Sequence, residues 1–329
     1  MNREIRAEQL VKKYGDDVVA VDNVSFKVDS GEIFGFLGPN GAGKSTTVAM
    51  LTTLGLPTSG RATVGGYDVV DQAAQVRRIA GVALQEIGLD PIMTSLELLT
   101  LQGRLFGMSR RDALKRANEL LEIVKLADVT KRRVGKYSGG MRRRLDLALA
   151  LMHRPEILFL DEPTTGLDPA SRRDIWAEVR RLNREFDMTI FLTTQYLEEA
   201  DELADRIAII NRGQIQVEGQ PQALKAALGS ESINVTFRDS DHVRRASDEV
   251  TDMFDRVQID RKTLRMYRNN AAEIIPAVVN RLNTAGLEPV SLTLTTPTLD
   301  DVFLQVTGQR FDTDTEGEAS PAASVAEPA

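Results

Sequence analysis

The run Gly38-Pro39-Asn40-Gly41-Ala42-Gly43-Lys44-Ser45-Thr46 constrains this chain more than any other feature. It fits the pattern G-x-x-x-x-G-K-[ST]. The setting is the one that pattern needs. Glu32-Ile33-Phe34-Gly35-Phe36-Leu37 reads as a strand leading in, and a helix is expected from Lys44 to about Leu54. Glycines let the backbone curl so that successive N–H groups face phosphate oxygens without Cβ atoms in the way. The helix N-terminus adds positive partial charge. Lys44 is expected to reach the β- and γ-phosphates, and the Ser45 hydroxyl to ligate Mg²⁺. An ordinary glycine-rich turn is the weaker reading, because every fixed position is present between a strand and a helix.

A second signal lies at Ile157-Leu158-Phe159-Leu160-Asp161-Glu162. The apolar run reads as a central strand, and two carboxylates end it. Asp161 is expected to hold Mg²⁺ directly or through water. Glu162 is expected to polarise an attacking water as general base. Beside a phosphate-binding loop, this reading outweighs a mere acidic surface turn.

Composition narrows the chemistry further. The chain has 329 residues, which points to about two domains, and 42% hydrophobic residues, enough for a sizeable core. It has no cysteine, so disulfides, thiolate metal sites and cysteine nucleophiles are excluded. Only His153 and His242 offer imidazole, which excludes a histidine-rich metal centre; His242, alone at an expected helix start, is read as structural. A net charge of −7 with 5% aromatics argues against a dedicated nucleic-acid binder. The first residues carry charge with no apolar run behind them, so no secretory signal is expected. No apolar stretch is long enough to span a bilayer.

Strand-like segments at 157–160, 189–193 and 206–210 alternate with helical ones near 169–185 and 196–203, which predicts a mostly parallel sheet. Helical periodicity dominates from about 90 to 153, read as an inserted subdomain. After Gly229-Ser230 the pattern resets. Strand 233–237, helix 241–254, strands 257–259 and 263–267, helix 272–284 and strand 290–294 form a β-α-β-β-α-β, ferredoxin-like order. A final amphipathic helix over 298–307 is expected to need a partner for its apolar stripe, and contact of this unit with the first domain or with a dimer mate is favoured over a helix that merely anchors the tail. The expected units are thus 1–228, 229–309 and a disordered acidic tail over 310–329.

Tyr137-Ser138-Gly139-Gly140-Met141 precedes a helical run and offers a second anion site at a helix start, without a lysine of its own. Phosphate loop, Ser-Gly-Gly helix start and Asp-Glu strand end follow in the order of the ABC ATPases. Over roughly residues 5–228 the chain resembles that family. Gly166-Leu167-Asp168 resembles its D-loop, Gln85 its Q-loop glutamine, and Tyr14 the aromatic that stacks on adenine. Residues 137–146, 192–201 and Thr298-Leu299-Asp300-Asp301-Val302-Phe303 resemble the daunorubicin-resistance ATP-binding subfamily of bacterial exporters. The three arginines 142–144 are read as an exposed helix face bearing solvated charge rather than a nucleic-acid patch.

The resemblance implies an α/β fold, a P-loop NTPase core of ABC type with a helical subdomain, plus the small ferredoxin-like α+β domain. It implies ATP and Mg²⁺ as cofactors. ATP would contact Tyr14, residues 38–46, Gln85, Ser138, Gly139, Gly140 and Asp168. The metal would meet Ser45, Gln85 and Asp161, and catalysis would fall to Glu162, Lys44 and Gln195. It also implies a head-to-tail homodimer around two ATP. A separate ABC-2-type membrane permease would hold the protein at the cytoplasmic face of the membrane, and a hydrophobic drug, antibiotic or lipid would be exported. No nucleic-acid partner is expected. A soluble ABC-type ATPase acting on DNA or ribosomes is the alternative; such proteins usually carry long coiled coils, zinc modules or two cores, none of which is visible here. Two departures stand out. Met141 replaces the usual signature glutamine, and Gln195 stands where most relatives have a histidine. An amide can donate a hydrogen bond there but cannot carry a proton near neutral pH.

Overall fold

The computed structural model describes residues 3–15, 18–85, 88–227 and 231–307. β1 (Ile5–Tyr14) and β2 (Val18–Val28) pair antiparallel. β3 (Ile33–Leu37) is buried at every position. It alternates Phe34 and Phe36 toward one layer with Ile33 and Leu37 toward the other, as a strand covered on both faces must. α1 (Lys44–Leu51) follows the phosphate-loop sequence. It stops before the expected Leu54 because Thr53 turns left-handed at φ 64°. The N–H groups of Leu54 and Gly55 then close on the Ala49 carbonyl.

β4 (Ser59–Val64), β5 (Tyr67–Asp68), α2 (Ala73–Ile79) and β6 (Ala80–Ala83) come next. α3 (Ser95–Leu105), α4 (Arg110–Ile123) and α5 (Gly139–Ala150) form the helical insert. Side-chain caps from Thr94, Ser109 and Ser138 start these three helices. β7 (Ile157–Asp161), α6 (Pro169–Phe186), β8 (Thr189–Thr194), α7 (Leu197–Leu203), β9 (Arg206–Asn211), β10 (Gln214–Gly219) and α8 (Pro221–Ala227) complete the first unit. The six-stranded sheet runs β10-β9-β3-β8-β7-β6. Every neighbouring pair in it is parallel except β9 with β10. A four-stranded antiparallel sheet, β2-β1-β4-β5, lies beside it. Phe26 of β2 joins Phe34, Phe36 and Phe191 at ring separations of 5.6 to 5.7 Å, which welds the two sheets.

The last unit holds β11 (Glu231–Thr236), α9 (Ser240–Val250), β12 (Arg256–Asp260), β13 (Thr263–Arg268), α10 (Ala271–Thr284) and β14 (Ser291–Thr295). Its sheet order is β12-β13-β11-β14, all antiparallel, the ferredoxin-like arrangement. Val243, Ala246 and Val250 of α9 and Val278 and Leu282 of α10 cover one face of it. α11 (Leu299–Thr307) then returns to the first unit. Leu299, Val302 and Phe303 pack with Leu37 of β3, Leu197 and Ala200 of α7, and Ile207 and Ile209 of β9. The apolar stripe read from the sequence therefore has its partner. The expected tail over 310–329 and the junction at 228–229 lie outside the described residues. No helix among the described residues is long and apolar enough to cross a membrane.

Phe303 is 2% exposed and Leu304 is 38% exposed. Truncating Phe303 to alanine should destabilise the docking of α11 by about 3 kcal/mol or more, whereas Leu304→Ala should change it by less than about 1 kcal/mol. Amide hydrogen exchange along α11 reads this directly; equal protection in the two variants would contradict the packing account.

Candidate functional site: a phosphate loop facing an acidic strand end

The carboxyl ends of β3, β7 and β8 meet at one edge of the parallel sheet. The Gly38 N–H donates to the Thr194 carbonyl at 3.4 Å, which fixes the start of the loop against β8. Gly43 sits at φ 107°, and a Cβ there would lie 2.4 Å from the Ala20 carbonyl oxygen, so only glycine fits. The loop delivers Lys44 and Ser45 to the first turn of α1. Ala20, Asn40, Gly41, Gly43, Lys44, Ser45, Thr46, Gln85 and Glu162 line one open cleft.

Lys44 and Glu162 are each 4% exposed. Their charged atoms meet at 3.1 Å, and the Lys44 ammonium also donates to the Gly38 carbonyl at 2.7 Å and the Pro39 carbonyl at 3.1 Å. The other carboxylate oxygen of Glu162 accepts from the Gln85 amide and from the Thr165 hydroxyl, both at 3.2 Å. Glu162 is held in the left-handed region at φ 48°, and its N–H donates to Thr193. Strain of that kind persists only where neighbours over-determine it.

Asp161 Oδ1 accepts from the Ser45 hydroxyl at 3.2 Å and from the Thr193 hydroxyl at 2.5 Å. A hydroxyl and a carboxylate oxygen converging beside the cleft form a hard-donor set that fits Mg²⁺, which takes few protein ligands and completes its shell with phosphate and water. Gln85 donates its amide N–H to the neighbouring Glu162, so it would join the metal only through its amide oxygen.

The other residues singled out in the sequence stand apart from the cleft lining. Ser138 and Gly139 are exposed at the start of α5, where the Ser138 hydroxyl accepts from the Met141 N–H at 3.3 Å. Asp168 caps α6 by accepting from the N–H groups of Ala170 and Ser171 and from the Ser171 hydroxyl. These hydrogen bonds, that to the Ser171 hydroxyl foremost, hold its carboxyl below the usual range. A Cβ on Gly140 would come within 2.9 Å of that Ser171 hydroxyl, so Ser138-Gly139-Gly140 and Asp168 share a second surface. Tyr14 is 52% exposed at the end of β1, with the Lys12 ammonium 5.1 Å from its ring centre. Gln195 follows β8 directly and is half-buried.

The reading of arginines 142–144 as a solvated face is corrected at Arg143. Arg142 is exposed and Arg144 pairs with Asp174 at 2.7 Å, but Arg143 is 5% exposed. It lies in phase with Gly140, Leu147 and Ala150 on the buried face of α5, the one sequence signal that marks it. Thr193 and Thr165 were also missed. Thr193 is placed by register, since β8 sets it opposite Asp161. Behind them, the fully buried Glu199 accepts from Thr164 at 3.0 Å and from the Trp176 indole at 2.9 Å. Burial pushes its carboxyl up. The two histidines are structural. His153 stacks on Phe106 at 4.0 Å, with burial lowering its pKa, and His242 pairs with Asp239 at the start of α9.

Comparison with known proteins supports the assignment. Residues 21–165 match the ABC transporter family model, and 219–307 match the C-terminal domain of DrrA1-3-like ATP-binding proteins. The chain is 45% identical over 297 residues to daunorubicin resistance ATP-binding protein DrrA3 of Streptomyces coeruleorubidus, covering 90% of this chain and 93% of that one. It is 37% identical to linearmycin resistance ATP-binding protein LnrL of Bacillus subtilis, over 93% of this chain and 98% of that one. A solved structure of the ATP-binding cassette MJ0796, dimeric, post-hydrolysis and bound to ADP and Pi, matches with TM-score 0.60 and 28% identity, over 66% of this chain and 98% of that one. With the phosphate loop facing Asp161 and Glu162, and with relatives of this identity along most of its length, the chain belongs to the ABC transporter ATP-binding proteins, in the daunorubicin-resistance group, and is an ATPase.

Proposed function

We propose that two copies of this chain close head to tail around two ATP and drive a separate ABC-2-type membrane permease that exports a hydrophobic compound. One observation carries the reading. The phosphate loop and Glu162 share a cleft, while Ser138, Gly139 and Asp168 are exposed outside its lining, with Gly140 buried behind them. A helix start with free N–H groups and no lysine suits a phosphate presented by another subunit. Relatives named for daunorubicin resistance, linearmycin resistance and Nod factor export support an exporter over a DNA or ribosome role. The working division is an ATPase unit to residue 228 and an accessory unit from 229 to 309.

Roles follow from the geometry. Lys44 exchanges its contacts with Glu162 and the loop carbonyls for phosphate oxygens. Glu162, released from that pair but still held by Gln85 and Thr165, takes the proton of the attacking water. Bound Mg²⁺, held by Ser45 and Asp161 with Gln85, would neutralise charge between the β- and γ-phosphates. Tyr14 offers its exposed ring to the adenine. Gln195 donates an amide hydrogen bond to the γ-phosphate and supplies no proton, so the proton is carried by Glu162 alone.

Glu162→Gln should lower turnover about a hundredfold or more while tightening ATP binding, because the substitution removes the carboxylate that competes for Lys44; equilibrium ATP binding that weakened in this variant would refute the competition. Mixing separately inactive Ser138→Arg and Glu162→Gln chains should restore ATPase activity, since one of the two composite sites is then intact. Absence of any recovery in a mixture verified to contain heterodimers would exclude the head-to-tail arrangement. Detergent extracts of producing cells should yield this chain in complex with a multi-spanning protein. Recovery solely with nucleic acid would exclude the exporter role.

A further inference from the structure

Arg143 sits one helical turn inside α5, behind the Ser138-Gly139-Gly140 turn, yet three of its four side-chain hydrogen bonds go to backbone carbonyls outside that helix. Its Nε donates to the Pro163 carbonyl at 2.8 Å, and one terminal nitrogen donates to the Asp161 carbonyl at 2.7 Å. The other donates to the Leu84 carbonyl at 2.5 Å and to Asp146 at 3.1 Å. Two of these carbonyls flank Glu162, and the third immediately precedes Gln85. One guanidinium therefore holds the backbone on both sides of the residue at φ 48° and at the entry to the residue that hydrogen-bonds its carboxylate.

Burying a guanidinium is expensive unless its N–H groups are matched. The planar fork reaches three carbonyls in different directions, which the point charge of a lysine cannot do. The helix that carries it is continuous from Gly139 to Ala150, so any displacement of the Ser-Gly-Gly end moves the guanidinium with it. We propose that Arg143 is a positioning residue: it links the signature surface of a chain to that same chain's own Glu162 and Gln85, so that engagement of one ATP site sets the base of the other. The inference rests on the head-to-tail reading above.

The test uses differently tagged full-length chains purified as mixed dimers. In the first arrangement Arg143→Lys stands in the chain whose Glu162 is intact, opposite a Glu162→Gln chain. In the second, Arg143→Lys and Glu162→Gln stand in one chain, opposite a wild-type chain. Wild type against Glu162→Gln is the reference. The first arrangement should lose about tenfold to a hundredfold in kcat, with KM and equilibrium ATP binding within about threefold of the reference; the second should match the reference. Asp146→Ala, which removes only the side-chain anchor of Arg143, should give a smaller loss in the same arrangement and serves if the lysine variant does not fold. A defect that follows the double-variant chain overturns the proposal, because Arg143 would then merely support its own signature loop. So does a kcat within threefold of reference in both arrangements, or a fall in ATP binding that parallels the fall in kcat. If mixed chains show no complementation at all, the dimer reading fails instead, and the homomeric Arg143→Lys enzyme still reports whether kcat falls at constant ATP binding.

Discussion

A lysine and a glutamate, both almost wholly removed from water, face each other where the phosphate loop meets the end of β7. Two isolated charges could not be buried there; each survives because the other is within hydrogen-bonding reach and because carbonyls, an amide and a hydroxyl take up the remaining capacity. That requirement dictates much of the architecture. β3 and β7 must be fully buried strands, so that their ends are fixed against β8 between them. α1 must start at the loop. The left-handed turn at Glu162 must be held open by Thr193 and by the carbonyl contacts from α5. The resting site is thus an electrostatically closed cluster whose cation has two anionic claimants, the carboxylate it already holds and an incoming phosphate.

Much of this was legible in the sequence because the motifs are local. The phosphate loop and the Ile157–Glu162 run each carry their chemistry within a few residues, and parallel strands buried on both faces read as continuous apolar runs. What was not legible depends on register or on helical phase. β5 has only two residues and α2 buries only Val76, so neither leaves a periodic trace. Thr193 matters only because β8 sets it opposite Asp161. Arg143 was hidden by its two charged neighbours: a run of arginines reads as surface, and only alignment with Gly140, Leu147 and Ala150 shows that the middle one turns inward.

The second unit was read correctly as a reset of pattern, and its sheet order follows from short alternating strands with two helices on one face. Its charged and hydroxyl side chains gather on the other face: Asn234, Arg265 and Gln258 lie in one cross-strand row, and Ser232, Tyr267 and Arg256 in the next. No buried ionisable cluster comparable to that around Lys44 occurs there among the described residues. Among the described residues, α11 ties it to the ATPase unit by apolar contact.

That contact has a practical reach. α11 packs on Leu37, and Leu37 is the residue immediately before Gly38. Whatever undocks α11 therefore strips packing from the strand that feeds the phosphate loop. A substitution on the apolar stripe of α11 would register as altered nucleotide handling although it never approached the cleft.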